Sequence, residues 1–297
     1  MTLAQLPPAP DTGYHVHDFD PFLLRFPESW PIDGLRWYGL AYVAAFALAF
    51  GLLRLYYKRG RSPYNPEQQA DLLFAVILGT LLGGRLGYFL LYRFDDIIQD
   101  PLLFLRVWEG GMASHGGMVG IVLGMAWFAR KSKTSFWQVA DIICTLGPPG
   151  VFFGRLANFI NGELYGRPTD VPWAYHFLDY RVDPLTGYGE WFWTPPVHPS
   201  QLYQAGMEGL LLTIYLQARF WLSTPGRRPL GQLAGEFLIG YAILRILGEV
   251  FREPDASLIF GLSRGSFYSL FMIIAGVAII TLRRKAKQTN TLPDKVN

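Results

Sequence analysis

Cysteine is nearly absent from this chain: Cys144 stands alone among 297 residues. A disulfide framework and a cysteine-built metal site are therefore excluded. Lysine is scarce as well, with six in all, and charged residues of both signs make up only 16% of the sequence. Ordinary soluble domains carry about 25% charged residues. A net charge of +3 gives no nucleic-acid footprint, which needs a clustered basic face. There is no Gly-X-Y period, no heptad pattern and no internal repeat, and an aromatic content of 16% excludes disorder. Histidine is rare too. No second histidine lies at metal-ligand spacing from His115, while His15 and His17 sit near the N-terminus and His198 stands alone. No metal centre is expected.

What the chain has in abundance is apolar sequence. Hydrophobic residues reach 51% and mean hydropathy is +0.20. The apolar residues gather in stretches at Tyr38–Leu53, Leu72–Leu91, Gly110–Ala129, Phe136–Phe153, Gln201–Phe220, Gly231–Val250 and Phe267–Leu282. Each is close to the ~20 residues that cross a ~30 Å hydrocarbon core. The pattern predicts an all-α polytopic membrane protein of about seven transmembrane helices, forming a single integral membrane domain over residues 1–297. The N-terminal segment lacks a basic start followed by an apolar run, so no cleaved signal peptide is expected.

Lysine and arginine set the orientation. Fifteen of the 26 fall in one set of alternating loops and the tail, including all six lysines; eight fall in the other set. The tail at 283–297 is therefore predicted to be cytoplasmic and the N-terminus to lie outside. The longest outward connection, at about 154–200, is rich in Pro, Gly, Trp and Tyr, and its tryptophans suit a membrane–water interface.

Ionisable residues inside spans cost about 2.5–3.5 kcal/mol on insertion scales and mark function by default. At ~1.5 Å rise per residue, His115, Arg85 and Arg245 each fall roughly 8–9 Å below the outer end of their spans. Tyr38 and Arg155 sit at outer ends, and Gln201, Tyr203 and Glu208 add polar groups from the fifth span. Polar residues thus converge on the outer leaflet. On the sixth span, Tyr241, Arg245, Glu249 and Arg252 follow i, i+4, i+8, i+11 spacing and share a face. An arginine there can pair with Glu249 or fork onto a lipid phosphate. Arg155, Asn158 and Asn161 recur every three residues, and Glu163 follows to orient an arginine or take a proton. His115, flanked by Gly110-Gly111 and Gly116-Gly117, can accept a proton near neutral pH. Asp71 and Asp141 lie near cytoplasmic helix ends and read as caps or interfacial charges. Cys144 lies in an apolar run and reads as packing.

These motifs together resemble the prolipoprotein diacylglyceryl transferase family of bacterial membrane enzymes. The most specific is GRLANFINGELYG at Gly154–Gly166. RWYG at Arg36–Gly39, GGRLGY at Gly83–Tyr88, HGG at His115–Gly117, HPSQLY at His198–Tyr203 and REPDA at Arg252–Ala256 support it. The resemblance covers about Phe19 to Arg284. It implies transfer of the diacylglyceryl group of phosphatidylglycerol to the lipobox cysteine thiol of a prolipoprotein. Glycerol phosphate leaves, as the first step of lipoprotein maturation at the outer face of the bacterial plasma (inner) membrane. No cofactor is implied, because the phosphoester is already the leaving group.

The resemblance implies His115, Arg155, Glu163, Arg245 and Glu249 as catalytic candidates. His115 leads as base for the thiol, with Glu163 or Glu249 as the alternatives. Candidates for holding phosphatidylglycerol are Tyr38, Arg85, Gly116, Gly117, Arg155, Asn158, Asn161, Gly166, Tyr241 and Arg245. Two positions depart from the family pattern: Gln204 stands where an acidic residue is frequent, and Arg264-Gly265-Ser266 replaces a Met-Gly-Gln-like run. A transporter for an anionic solute is the rival class, disfavoured by the lack of a repeat. A non-catalytic relative that binds lipid or signal peptide is the other.

Overall fold

The computed structural model describes residues 7–27, 29–30, 32–106, 110–182, 187–224, 226–253 and 257–291. Residues 254–256 of the REPDA motif and 292–297 of the tail lie outside the described residues. The chain divides into two compact units, one of residues 1–49 and 144–297, the other of residues 50–143.

All seven apolar stretches are helical over most of their length, the third only from Ser114. The helices are α1 (Trp37–Lys58), α2 (Pro66–Tyr92), α3 (Phe94–Gln99), α4 (Ser114–Lys131), α5 (Phe136–Ile160), α6 (Ser200–Gln204), α7 (Leu212–Leu222), α8 (Gln232–Glu249) and α9 (Arg264–Thr291). A π-helical segment, Ala205–Leu211, joins α6 to α7. Among the described residues, α1, α2, α5 and the first 23 residues of α9 are long and apolar enough to cross a membrane. Large apolar side chains such as Val43, Phe74, Leu91 and Ile274 are more than half exposed. Such exposure suits a lipid solvent and would be a liability in water.

The chain is mostly helical, but not all-α as expected. Short strands also form: β1 (His15–Val16), β2 (Phe22–Arg25), β3 (Gly34–Arg36), β4 (Tyr175–His176), β5 (Leu178–Val182) and β6 (Gly189–Trp193). They are too short for hydropathy periodicity to reveal. β1 pairs parallel with β4, β2 antiparallel with β3, and β5 antiparallel with β6.

In the unit of residues 50–143, α2 is started by a capping box. Asn65 Oδ1 accepts from Gln68 N at 2.9 Å, Gln68 Oε1 accepts from Asn65 N at 3.1 Å, and Pro66 occupies the first helical position. Glycines at 79, 83 and 87 of α2 meet Gly116 and Gly120 of α4, and Gly124, one turn further along, meets the backbone of Ala75. A methyl group added at Gly87 would come within 2.8 Å of Gly116 Cα, and one at Gly79, Gly83 or Gly120 would strike opposing backbone. In lipid, where apolar surface gives no drive to associate, such close backbone approach supplies the van der Waals contact that holds helices together. In the other unit, α8 and α9 use the same device at Gly235 and Gly276.

The region between α5 and α6 carries a small aromatic core of Phe159, Phe177 and Val197, with Tyr165, Tyr175 and Leu202 against it. The N-terminal segment is fastened onto it. His17 is buried, its ring lies 4.8 Å from that of Phe177, and its Nε2 donates to Phe159 O at 2.6 Å.

Two predictions follow from this packing. Gly120→Leu should destabilise the α2–α4 pair by about 2 kcal/mol or more, read as a lower midpoint of thermal unfolding in detergent. Burial holds the His17 pKa below its ordinary value of 6.5. Its contribution is therefore intact above that value and is lost as pH falls through it, because the detached segment binds the proton more readily. Limited proteolysis should cut the N-terminal segment faster at pH 5 than at pH 7, and His17→Asn should flatten that difference.

Candidate functional site

The signature segment gains its geometry from the way α5 ends. Gly162 adopts φ +71°, Gly162 N donates to Phe159 O at 2.9 Å and Glu163 N to Asn158 O at 3.0 Å. This is a Schellman termination with glycine at its left-handed position. The turn folds Glu163 back over the last helical turn, where its Oε1 accepts from Asn158 Nδ2 at 2.7 Å. Asn158 Oδ1 in turn accepts from Arg155 Nη1 at 3.4 Å. Gln201 Nε2 of α6 fixes the same turn by donating to Glu163 O at 2.7 Å. Asn161, just past the helix, has a buried Oδ1 with no hydrogen bond.

Gly166 ends the segment against two backbones. Its N donates to His198 O at 2.9 Å, and it bridges to Arg252. An added methyl would come within 2.8 Å of His198 O and would also strike Phe251 O. A close approach of three chain segments therefore explains this glycine. The bridge ties α5's outgoing loop to the end of α8.

On α8, Arg245 Nη2 pairs with Glu249 Oε1 at 2.5 Å, one turn along. Arg245 Nη1 lies 3.5 Å from Glu208 Oε1 of the π-helical segment and makes no hydrogen bond. Arg252 Nη1 is 4.0 Å from Glu249 Oε1. The helix ends at Glu249, so the expected i+11 continuation to Arg252 is a turn beyond the helix. Arg155 experiences repulsion from Arg245 and Arg252 and attraction from Glu208, and the Tyr241 hydroxyl feels Glu208, Arg245 and Arg155 together. Tyr38, at the start of α1, lies with its ring 5.3 Å from that of Tyr42, whose hydroxyl feels Glu163. The unit of residues 1–49 and 144–297 thus gathers Arg155, Arg245 and Arg252 with Glu163, Glu208 and Glu249. Guanidinium groups so placed can receive a phosphate by charge-assisted hydrogen bonds.

Arg85, His115, Gly116 and Gly117 belong to the unit of residues 50–143. Arg85 corrects an expectation. It is 3% exposed, and each of its five N–H groups donates to a backbone carbonyl. Nε donates to Phe104 O at 3.0 Å, and Nη1 to Gly110 O and to Gly111 O at 3.2 Å. Nη2 donates to Leu103 O at 2.5 Å and Arg106 O at 2.8 Å. A guanidinium has five donors, so none remains for a phosphate. Arg85 orders the segment that leads into α4.

His115 is also placed differently from expectation. Gly110 and Gly111 take φ of +77° and +83°, and α4 begins only at Ser114. His115 therefore occupies the first turn of its helix and not the fifth residue of a span. It and Gly116 line an apolar cavity of about 790 Å³ between α2 and α4, with Leu82, Leu86, Val119 and Leu123.

Three residues escaped sequence reasoning. Tyr42, one turn from Tyr38, packs against it and feels Glu163. Gly265 has no side chain where one would fall 2.7 Å from Glu249 Oε1 and 3.1 Å from Arg245 Nε. Its signal lay in the central glycine that Arg264-Gly265-Ser266 keeps. Glu208 was visible as an intramembrane polar residue but not as a partner of Arg245. Gln204 is buried with both amide atoms unpartnered.

Replacing Arg85 with lysine leaves one ammonium to serve five carbonyls. Arg85→Lys should destabilise the protein by at least about 3 kcal/mol, since buried acceptors without donors cost roughly 1–3 kcal/mol each. A thermal unfolding midpoint near that of the wild type would contradict this.

A family model described as prolipoprotein diacylglyceryl transferase matches residues 27–282. Three similar proteins are each called phosphatidylglycerol–prolipoprotein diacylglyceryl transferase. That of Polynucleobacter asymbioticus is 44% identical over 277 residues, covering 91% of this chain and 98% of its own length. That of Vibrio cholerae is 42% identical over 266 residues, 86% of this chain and 92% of its own. That of Pasteurella multocida is 45% identical over 266 residues, 88% of this chain and 91% of its own. A match of this extent, over the segments that build the arginine cluster, places the chain in the prolipoprotein diacylglyceryl transferase family.

Proposed function

We propose that this protein transfers the diacylglyceryl group of phosphatidylglycerol to the lipobox cysteine thiol of prolipoproteins at the outer leaflet of the bacterial plasma membrane. The observation that carries the reading is the buried arginine cluster, in which Arg245 Nη1 keeps only a long 3.5 Å ion pair to Glu208 inside an apolar helical protein. Such a donor suits a phosphodiester at headgroup depth. We read the chain as one integral membrane domain crossing seven times, with the N-terminus and the 154–200 region outside and the tail at 283–297 in the cytoplasm. The Lys and Arg asymmetry supports that orientation.

In the reaction, the cysteine sulfur attacks the diacylglyceryl carbon that bears the phosphate ester. The carbon–oxygen bond breaks, a carbon–sulfur bond forms, and glycerol phosphate departs with the bonding electron pair. Arg155 and Arg245 hold the phosphate and stabilise the charge that develops on the leaving oxygen. His115 takes the thiol proton, since imidazole titrates near neutrality and a free thiol has a pKa near 8.5. Glu163 and Glu249 are the alternative bases and otherwise orient the arginines, Glu163 through Asn158. Gly116 and Gly117 leave room beside His115. Tyr38, Asn158, Asn161 and Tyr241 donate hydrogen bonds to phosphate or glyceryl oxygens, and Gly166 shapes the loop that borders them.

The test is a reconstituted assay with phosphatidylglycerol and a lipobox peptide, following glycerol phosphate. Wild type should release it only when the peptide carries cysteine; a serine peptide should give none. Arg245→Ala should lower release by roughly 100-fold or more, the scale of losing one charge-stabilising donor. Well-folded wild type that binds phosphatidylglycerol without turnover would overturn the reading in favour of a binding or transport protein.

A further inference from the structure

The π-helical segment Ala205–Leu211 places Glu208 where neither oxygen is satisfied by an ordinary hydrogen bond. The side chain is 0% exposed, and both oxygens lack a hydrogen-bond partner. A carboxylate stripped of water in this way is costly unless it is paired. Its ion pair is with Arg245 at 3.5 Å, longer than the 2.5 Å that Arg245 Nη2 keeps to Glu249, and the Tyr241 hydroxyl also lies against its carboxylate. Glu208 is also the largest attractive charge acting on Arg155, and its carboxylate lies close enough to the Tyr241 hydroxyl to act on it.

The segment is held there by contact on two sides. A methyl at Gly209 would lie 2.6 Å from Phe152 Cα of α5, less than one turn before Arg155, and a methyl at Gly248 of α8 would lie 3.3 Å from Glu208 Oε1. Glycine on both faces lets the helix press against α5 and α8 at that level. A π segment widens the turn and re-aims the side chains that follow, and such segments occur frequently at functional sites.

We infer that Glu208 is a positioning residue for the phosphate-binding arginines. It draws Arg245 Nη1 away from Glu249 and toward Arg155 without consuming its hydrogen bond, so the donor stays open to an incoming phosphate oxygen. This rests on the transferase reading above. Removing the negative charge leaves Arg245 to Glu249 only. The ground-state attraction for an anion does not weaken, because a competing carboxylate is gone. The alignment needed in the transition state is lost.

The experiment is steady-state kinetics of purified wild type, Glu208→Gln and Glu208→Asp in mixed micelles of phosphatidylglycerol and detergent with a lipobox peptide. Glu208→Gln keeps the shape and should lower kcat at least 10-fold while KM for phosphatidylglycerol stays within threefold. Glu208→Asp keeps the charge and should return kcat to within fivefold of wild type. Wild-type kinetics in Glu208→Gln would overturn the inference, as would a rise in KM at unchanged kcat, or equal loss in both variants with equal loss of thermal stability. Wild type without peptide-dependent release would sink the transferase reading and this inference together. Active wild type with a normal Glu208→Gln sinks the inference alone.

Discussion

Everything at the site depends on keeping guanidinium groups charged and open inside an apolar protein. An isolated charge in low dielectric costs several kcal/mol after relaxation, so the arginines must be compensated by carboxylates close by. Arg245 stands between Glu249 on its own helix and Glu208 across from it. Asn158 relays Glu163 to Arg155. The compensation is incomplete in hydrogen bonds, which is what leaves capacity for an anionic ligand. A fully bonded cluster would be inert, and Arg85 shows that condition in the same chain: all five donors are spent on carbonyls.

Glycine is the other constraint. With lipid as the solvent, helices gain from close backbone contact and not from hiding apolar surface. The α2–α4 and α8–α9 pairs meet at glycines. The same residue type shapes the site: Gly162 turns Glu163 back onto α5, Gly166 admits Phe251 and His198, Gly209 admits α5, and Gly265 clears the Arg245–Glu249 pair.

Much of this was legible in the sequence, because hydropathy and helical spacing are local. The seven apolar stretches are largely helical, Arg155 and Asn158 share one helix edge, and Arg245 and Glu249 pair at i, i+4, whereas Glu163 joins Asn158 only through the Gly162 turn beyond the helix. What escaped was set by distant chain. Whether Arg85 faces a ligand or its own backbone depends on where residues 103–106 and 110–111 return to it. Two left-handed glycines delay the start of α4 and move His115 to its first turn. A π segment breaks the 3.6-residue period on which face assignments rest, so Glu208 could be counted as polar but not aimed. Two- to five-residue strands leave no periodic signal at all.

The most direct measurement is a cryo-electron microscopy structure in nanodiscs containing phosphatidylglycerol. The account predicts headgroup phosphate density within hydrogen-bond distance of the Arg155 and Arg245 guanidinium groups, with Arg245 Nη1 turned from Glu208 toward the phosphate. Headgroup density elsewhere, with Arg245 still closed on Glu208 and Glu249, would contradict it.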